Sequence, residues 1–154
     1  MPTVHARGWV LAPIEETFAF FDDPRNLGRL TPPPGRIELV RVEPSPPQAG
    51  SELEFRYGIG PWRRTWIVRL TEHLENERIV DETLSGPMRR FHHEHRFTAG
   101  RVGTWVEDRI DYHVGPDGMV GALVDAAAGL VVRALFVYRH AAQRRLLEGR
   151  AHRG

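Results

Sequence analysis

Three polar residues occupy positions where an alternating pattern sends apolar side chains. Between residues 89 and 98 the odd positions are Phe91, His93, His95 and Phe97, and the even ones are Arg90, His92, Glu94 and Arg96. Alternate side chains of a strand share one face, so the aromatic set turns inward and takes both imidazoles with it. Between residues 102 and 114 the even set, Val106, Asp108, Ile110, Tyr112 and Val114, is apolar except for Asp108. A tight turn at Gly100-Arg101 pairs residues whose numbers sum to about 201, which sets Asp108 opposite His93. A slip of two residues keeps the same facing and sets Asp108 opposite His95. Either register places an inward carboxylate beside an inward imidazole, at a cost of several kcal/mol unless the groups pair.

Such a group admits three chemistries. It can be a satisfied internal pair that orders the sheet. It can anchor the polar end of a ligand at the floor of an apolar cavity. It can also be an acid/base pair or a metal site, since His-x-His on a strand presents two nitrogens to one side. A cupin-type metal pattern needs a Glu a few residues further on and a second His motif. Arg96-Phe97-Thr98-Ala99-Gly100 supplies no ligand, so neither a metal nor a cofactor is expected. Phe55, Tyr57, Trp66, Val68, Leu70 and Asp81 fall on the same inward parity of their own segments.

Composition narrows the rest. The chain has 154 residues, no Cys and no Lys, so all 21 basic residues are Arg. Thiol nucleophiles, thiolate metal sites, Schiff bases and a phosphate-loop lysine are therefore excluded. A formal net charge of +1 argues against a dedicated nucleic-acid binder. The longest apolar stretch, Met119 to Val132, is short for a bilayer and contains Asp125, so no transmembrane segment and a cytoplasmic location are expected.

The elements that must position the inward residues follow from periodicity. Residues 3–12 read as a strand, and Pro13-Ile14-Glu15-Glu16 opens a short helix, followed by a second helical piece from Asp23-Pro24 to Leu30. Six strands are predicted next, over 37–42, 52–57, 62–71, 79–84, 89–98 and 102–114. Their short connections imply an antiparallel meander. From Met119 to Leu147 apolar residues recur at helical spacing through Val120, Leu123, Val124, Ala127, Leu130, Val131 and Ala134. One long helix covers a seven-stranded sheet only if the sheet curls around it, which leaves a cavity between them.

These segments resemble the SRPBCC superfamily of START-like, helix-grip proteins. Val10-Leu11-Ala12-Pro13-Ile14-Glu15-Glu16-Thr17-Phe18 is similar to that family's opening strand and helix, and Asp23-Pro24-Arg25-Asn26-Leu27 with Leu30-Thr31-Pro32 to its next segment. Asp81-Glu82, Gly86-Pro87-Met88 and Phe91-x-His93-x-His95-x-Phe97 resemble one bacterial subgroup related to polyketide cyclases. Asp108-x-x-x-Tyr112, Gly115-Pro116-x-Gly118 and Phe136-x-Tyr138-Arg139 continue the likeness, which runs over nearly the whole chain. The resemblance implies a single α+β domain over 1–154, with a curved seven-stranded antiparallel sheet wrapped around the C-terminal helix and an apolar cavity inside.

The expected function is binding of a hydrophobic small molecule, lipid- or polyketide-like, as carrier or sensor. His93, His95 and Asp108 would orient its polar end, with Tyr57, Trp66, Phe97, Tyr112, Leu123 and Leu130 as walls. One alternative is a cyclase- or dehydratase-type enzyme using the His–Asp pair for proton transfer. The other is a protein-interaction module built on the apolar helix surface, with a homodimer as one form.

Overall fold

The computed structural model describes residues 1–151. Its elements are β1 (Thr3–Val10), α1 (Ile14–Asp22), a 3₁₀ segment (Pro24–Leu30), β2 (Gly35–Glu43), β3 (Glu52–Ile59), β4 (Trp62–Leu74), β5 (Arg78–Ser85), β6 (Arg90–Ala99), β7 (Thr104–His113) and α2 (Met119–Ala151). The second helical piece is thus a 3₁₀ run. Asp23 caps it by accepting from the Arg25 N–H at 3.1 Å, and Pro24 supplies the first turn.

All seven strands form one antiparallel sheet in the order β1-β7-β6-β5-β4-β3-β2. Register shifts fall between Leu39 and Arg41, between Ile67 and Val68, and between Leu70 and Glu72. Extra residues of this kind bend a strand and increase its twist, which curls the sheet around α2. This is the α+β helix-grip fold. Its concave face carries the buried residues Phe55, Val68, Leu70, Ile79, Phe97 and Val106.

The β6–β7 connection decides the register of the inward polar residues. Four residues, Gly100 to Gly103, form the loop, and the Gly100 N–H donates to the Gly103 carbonyl at 2.8 Å. The two-residue turn predicted from sequence is therefore replaced by a longer loop. His95 faces Asp108 directly and His93 faces Ile110.

Helix α2 presents to the sheet a different face from the one its apolar residues mark. Val120, Leu123, Leu130, Val131 and Val137 are each about two-thirds exposed or more. The buried line instead runs through Asp125, Val132, Phe136, His140, Gln143 and Leu147. Leu123 and Leu130, assigned above to a cavity wall, lie on the outer side of the helix at 70% and 68% exposure. The physical reason is that the sheet offers α2 polar partners. Asp125 accepts from the Val114 and Gly115 N–H groups at 2.7 and 3.0 Å and contacts His113 Nδ1 at 2.6 Å. These bonds hold its carboxyl down to about 2. The Tyr112 hydroxyl donates to the Asp125 carbonyl at 2.9 Å, and it reaches the helix because Gly129 has no Cβ where the hydroxyl sits. By length and composition α2 is apolar enough to cross a membrane, with a window of mean hydropathy 2.0 that is 28% buried. Asp125 and His140, bonded to the sheet from its inner side, make it the core helix of this fold.

Candidate functional site

One carboxylate organises the site. Asp108, on β7 and 3% exposed, receives three imidazoles. His93 Nε2 lies 2.9 Å from its Oδ1, and His140 Nε2 lies 2.7 Å from its Oδ2. His95 Nδ1 is 2.6 Å from Oδ1 but off the line of a hydrogen bond. Gln143 Nε2 in turn meets His140 Nδ1 at 3.0 Å, which fixes that ring from behind. His140 fits between α2 and β1 because Gly8 is bare. A Cβ at Gly8 would stand 2.3 Å from His140 Nδ1.

Burial alone would raise the Asp108 carboxyl. The charge of His95 and the hydrogen bonds from His140 and His93 outweigh burial and hold it well below the usual carboxylate range. His93 moves down as well, mainly because burial disfavours its cation and because His95 is close by. Its contacts with Asp108 and Asp81 oppose that only in part. The centre is thus an ionised carboxylate among imidazoles, one of which resists protonation.

The pH dependence of stability follows. His93 binds its proton less readily in the fold than in the unfolded chain, whose histidine titrates near about 6.5. The unfolded state gains protons first as pH drops, so stability falls below about pH 6.5 and stays level above it, with a slope of up to about 1.4 kcal/mol per pH unit. Asp108, lowered in the fold, adds a second loss below about pH 3.9. Urea unfolding across this range should show both limbs, and His93→Phe should flatten the upper one. An unchanged slope in that variant would remove His93 from the account.

Two spaces adjoin the centre. An inner chamber of about 110 Å³ lies between the sheet, α1, the 3₁₀ segment and α2. Phe20, Phe21, Leu30, Leu53 and Phe55 are among its apolar walls, and Asp81, His93, His95, Asp108, Arg139 and Gln143 form its polar end. An outer cleft of about 690 Å³ opens between the β3–β4 hairpin, the β5–β6 loop and α2, along Ile37, Tyr57, Trp62, Met88 and Leu135. Trp66, Phe91, Phe136 and Arg139 line both and form the partition.

The sequence-derived residues divide accordingly. His93, His95 and Asp108 meet at the inner chamber, Tyr57 lines the outer cleft, and Trp66 stands between them. Phe97 and Tyr112 line neither space. Phe97 packs behind the wall, with its ring centroid 5.2 Å from that of Phe21 and 5.4 Å from that of Phe18. Tyr112 is spent on α2. Reasoning from strands missed Arg139, His140 and Gln143. Their spacing with Phe136 at i, i+3, i+4 and i+7 marks one helix face and was the available signal.

Asp81, His93 and His95 also bring one ligating atom each within 4.8 Å of one another. That set resembles the carboxylate-and-imidazole surroundings of a divalent ion. The nearby guanidinium of Arg139, which feels both Asp81 and Asp108, works against an added cation.

Comparison with known proteins locates this geometry. The profile of the family described as polyketide cyclase / dehydrase and lipid transport matches residues 10–136. A search of curated protein sequences found no match. Among solved structures, CV1439 from Chromobacterium violaceum aligns with a TM-score of 0.73 at 14% identity, covering 96% of this chain and 99% of that one. The di-domain ARO/CYC StfQ from the steffimycin biosynthetic pathway aligns at 0.75 and 16% identity, with 97% of this chain on 51% of that one. Ara h 8.0201 aligns at 0.64 and 12% identity, covering 92% and 97%. These likenesses establish the fold.

Proposed function

Because the chain belongs to the polyketide cyclase / dehydrase and lipid transport family, of SRPBCC type, we propose that it is a binding protein for a hydrophobic small molecule, acting as carrier or sensor. The observation that supports this most directly is the pair of adjoining spaces, largely apolar along their walls, with a polar group at the inner end and Arg36 and Arg64 on the outer cleft. An outer cleft of that size falls in the range of small-molecule sites. His93 and His140 are committed to Asp108 by hydrogen bonds, and His95 lies against it, so the polar centre serves better as a rigid anchor than as a mobile proton carrier. That favours binding over the cyclase- or dehydratase-type alternative.

The outer face of α2 favours a second element of this reading. Val120, Leu123, Ala127, Leu130, Ala134, Val137 and Ala141 follow alternating steps of three and four residues, the spacing of a helix-pairing seam. All seven are exposed, and an apolar stripe of this extent marks a contact surface. The occupant we propose is a second copy, packed antiparallel about a two-fold axis near Leu130. That register sets Leu123 opposite Val137 and Ala127 opposite Ala134 of the second copy. It also brings the exposed Asp117 toward Arg144 of the second copy, a complementary charge at each end. The stripe carries no Trp or Tyr, which a lipid surface would favour.

Native mass spectrometry tests both elements together, since it reports ligand mass and subunit count. The expected species is a dimer with an apolar compound retained, and Leu130→Glu is expected to give a monomer that still retains it. A wild-type monomer at all concentrations, whether free or floating with vesicles, would overturn the pairing. Failure of the protein to retain any apolar compound, native or added, would overturn the binding reading.

A further inference from the structure

Arg139 is the one charged side chain at the polar end of the chamber that has no hydrogen-bond or ion-pair partner among the described residues. It stands on α2 next to His140, and it lines both the inner chamber and the outer cleft. Its Nε is shut off from solvent and has no hydrogen-bond partner among the described residues. Asp81 and Asp108 act on it only through space. Its closest ring neighbour is Phe136, whose centroid lies 5.1 Å from the guanidinium carbon. The side chain as a whole is half-buried, but an Nε–H sealed from water without an acceptor is costly, and a protein normally supplies one.

The neighbouring acids do not supply that pair. Asp108 has both oxygens taken by imidazoles. Asp81 faces His93 Nδ1 at 3.7 Å. The remaining walls of the chamber are mostly Phe, Leu, Val and Ile. We infer that Arg139 receives the anionic end of the bound molecule, and that this end is a carboxylate on an otherwise apolar body lying along the outer cleft. The inference rests on the binding function proposed above and specifies its ligand class.

Three features select a carboxylate. The guanidinium fork matches a planar carboxylate through two parallel N–H···O bonds. At the chamber end Arg139 is the one unpaired guanidinium among the described residues, with Arg36 and Arg64 further out on the cleft; it balances a single negative charge there, whereas a phosphate dianion would set a second charge against Asp81 and Asp108. The position of Arg139 on the partition leaves the charged end at the narrow chamber and the chain in the wide cleft. Burial lowers the guanidinium toward about 10, with Asp108 and Asp81 opposing, so it is still a cation at neutral pH.

The test compares three probes of equal chain length, tetradecanoic acid, tetradecanol and tetradecyl phosphate, by isothermal titration and by quenching of tryptophan fluorescence. The wild type is expected to bind the acid about tenfold more tightly than the alcohol, corresponding to one charge-assisted contact of about 1.4 kcal/mol. Arg139→Met should bring the acid down to the alcohol's affinity and leave the alcohol unchanged, and Arg139→Lys should recover part of the difference. The acid–alcohol comparison in the wild type needs no variant. Equal affinity for the two would overturn the role of Arg139 while leaving apolar binding in place. Preference for the phosphate would overturn the carboxylate class. Failure of all three probes to bind would overturn the binding function and, with it, this inference.

Discussion

Replacing Asp108 by Ala is expected to cost about 4 kcal/mol of folding stability, the range found when one partner of a buried charged network is removed. In a chain of this length that corresponds to a fall of about 10 °C in the melting temperature. The reason is the number of groups left behind. His93 and His140 lose their acceptors outright, and His95 loses the charge beside it. Each orphaned buried polar group costs about 1–3 kcal/mol, and the sum is softened by water entering the space the side chain vacates. Asp108→Asn keeps the shape and one accepting oxygen but turns the other oxygen into a donor facing an imidazole. It should cost about half as much. Because His140 is held through Asp108 Oδ2, the alanine variant should also loosen α2, visible as faster amide exchange around residues 136–147. A loss below about 1 kcal/mol, with unchanged exchange, would show that packing alone positions the three rings.

The second large effect is expected at Trp66. Its ring lies within 5.8 Å of both Phe55 and Phe91, and its Nε1–H donates to Thr83 Oγ1 at 2.9 Å. It fills part of the partition between chamber and cleft. Trp66→Ala should cost about 3 kcal/mol through lost contacts and a cavity that collapses only in part. It should also join the two spaces and shift upward the chain length preferred among alkyl probes. Trp66→Phe preserves most of the partition and should lose stability without that shift. The two readouts separate a wall from an ordinary core residue. A destabilised alanine variant with unchanged length preference would assign Trp66 to packing only.

The strands were legible because a sheet side chain has two choices and the aromatics reveal which is inward. Parity alone placed His93, His95 and Asp108 on one face and left two registers open. The four-residue loop decided between them, and nothing in Gly100-Arg101-Val102-Gly103 distinguishes its length from that of a tighter turn. Helix α2 misled for a physical reason. Periodicity marks the most apolar face, and a helix ordinarily turns that face to the core. Here the sheet presents a carboxylate and backbone N–H groups, so the inner face is polar where it meets them, at Asp125, His140 and Gln143. The apolar residues Leu123 and Leu130 are left outward. Arg139 enters the sequence reading only through the Phe136-x-Tyr138-Arg139 likeness and not as a site residue, since an arginine on a basic helix end reads as a solvated charge.

The attachments of α2 have a mechanical consequence. Along the part that faces the cleft the helix is held by polar contacts at either end, Asp125 against the β7 end and His140 with Gln143 against Asp108, and beyond them Glu148 accepts from the Leu11 N–H at 3.1 Å. The 14 residues between Asp125 and His140 span about 21 Å at 1.5 Å per residue. Over that distance the inward contacts are apolar, chiefly Val132 and Phe136. The helix is therefore a beam on two supports, stiff along its axis and free to bow sideways at mid-span. That mid-span carries Val132, Leu135 and Phe136 along the outer cleft. Bowing at that point would widen the opening while both supports stay in place.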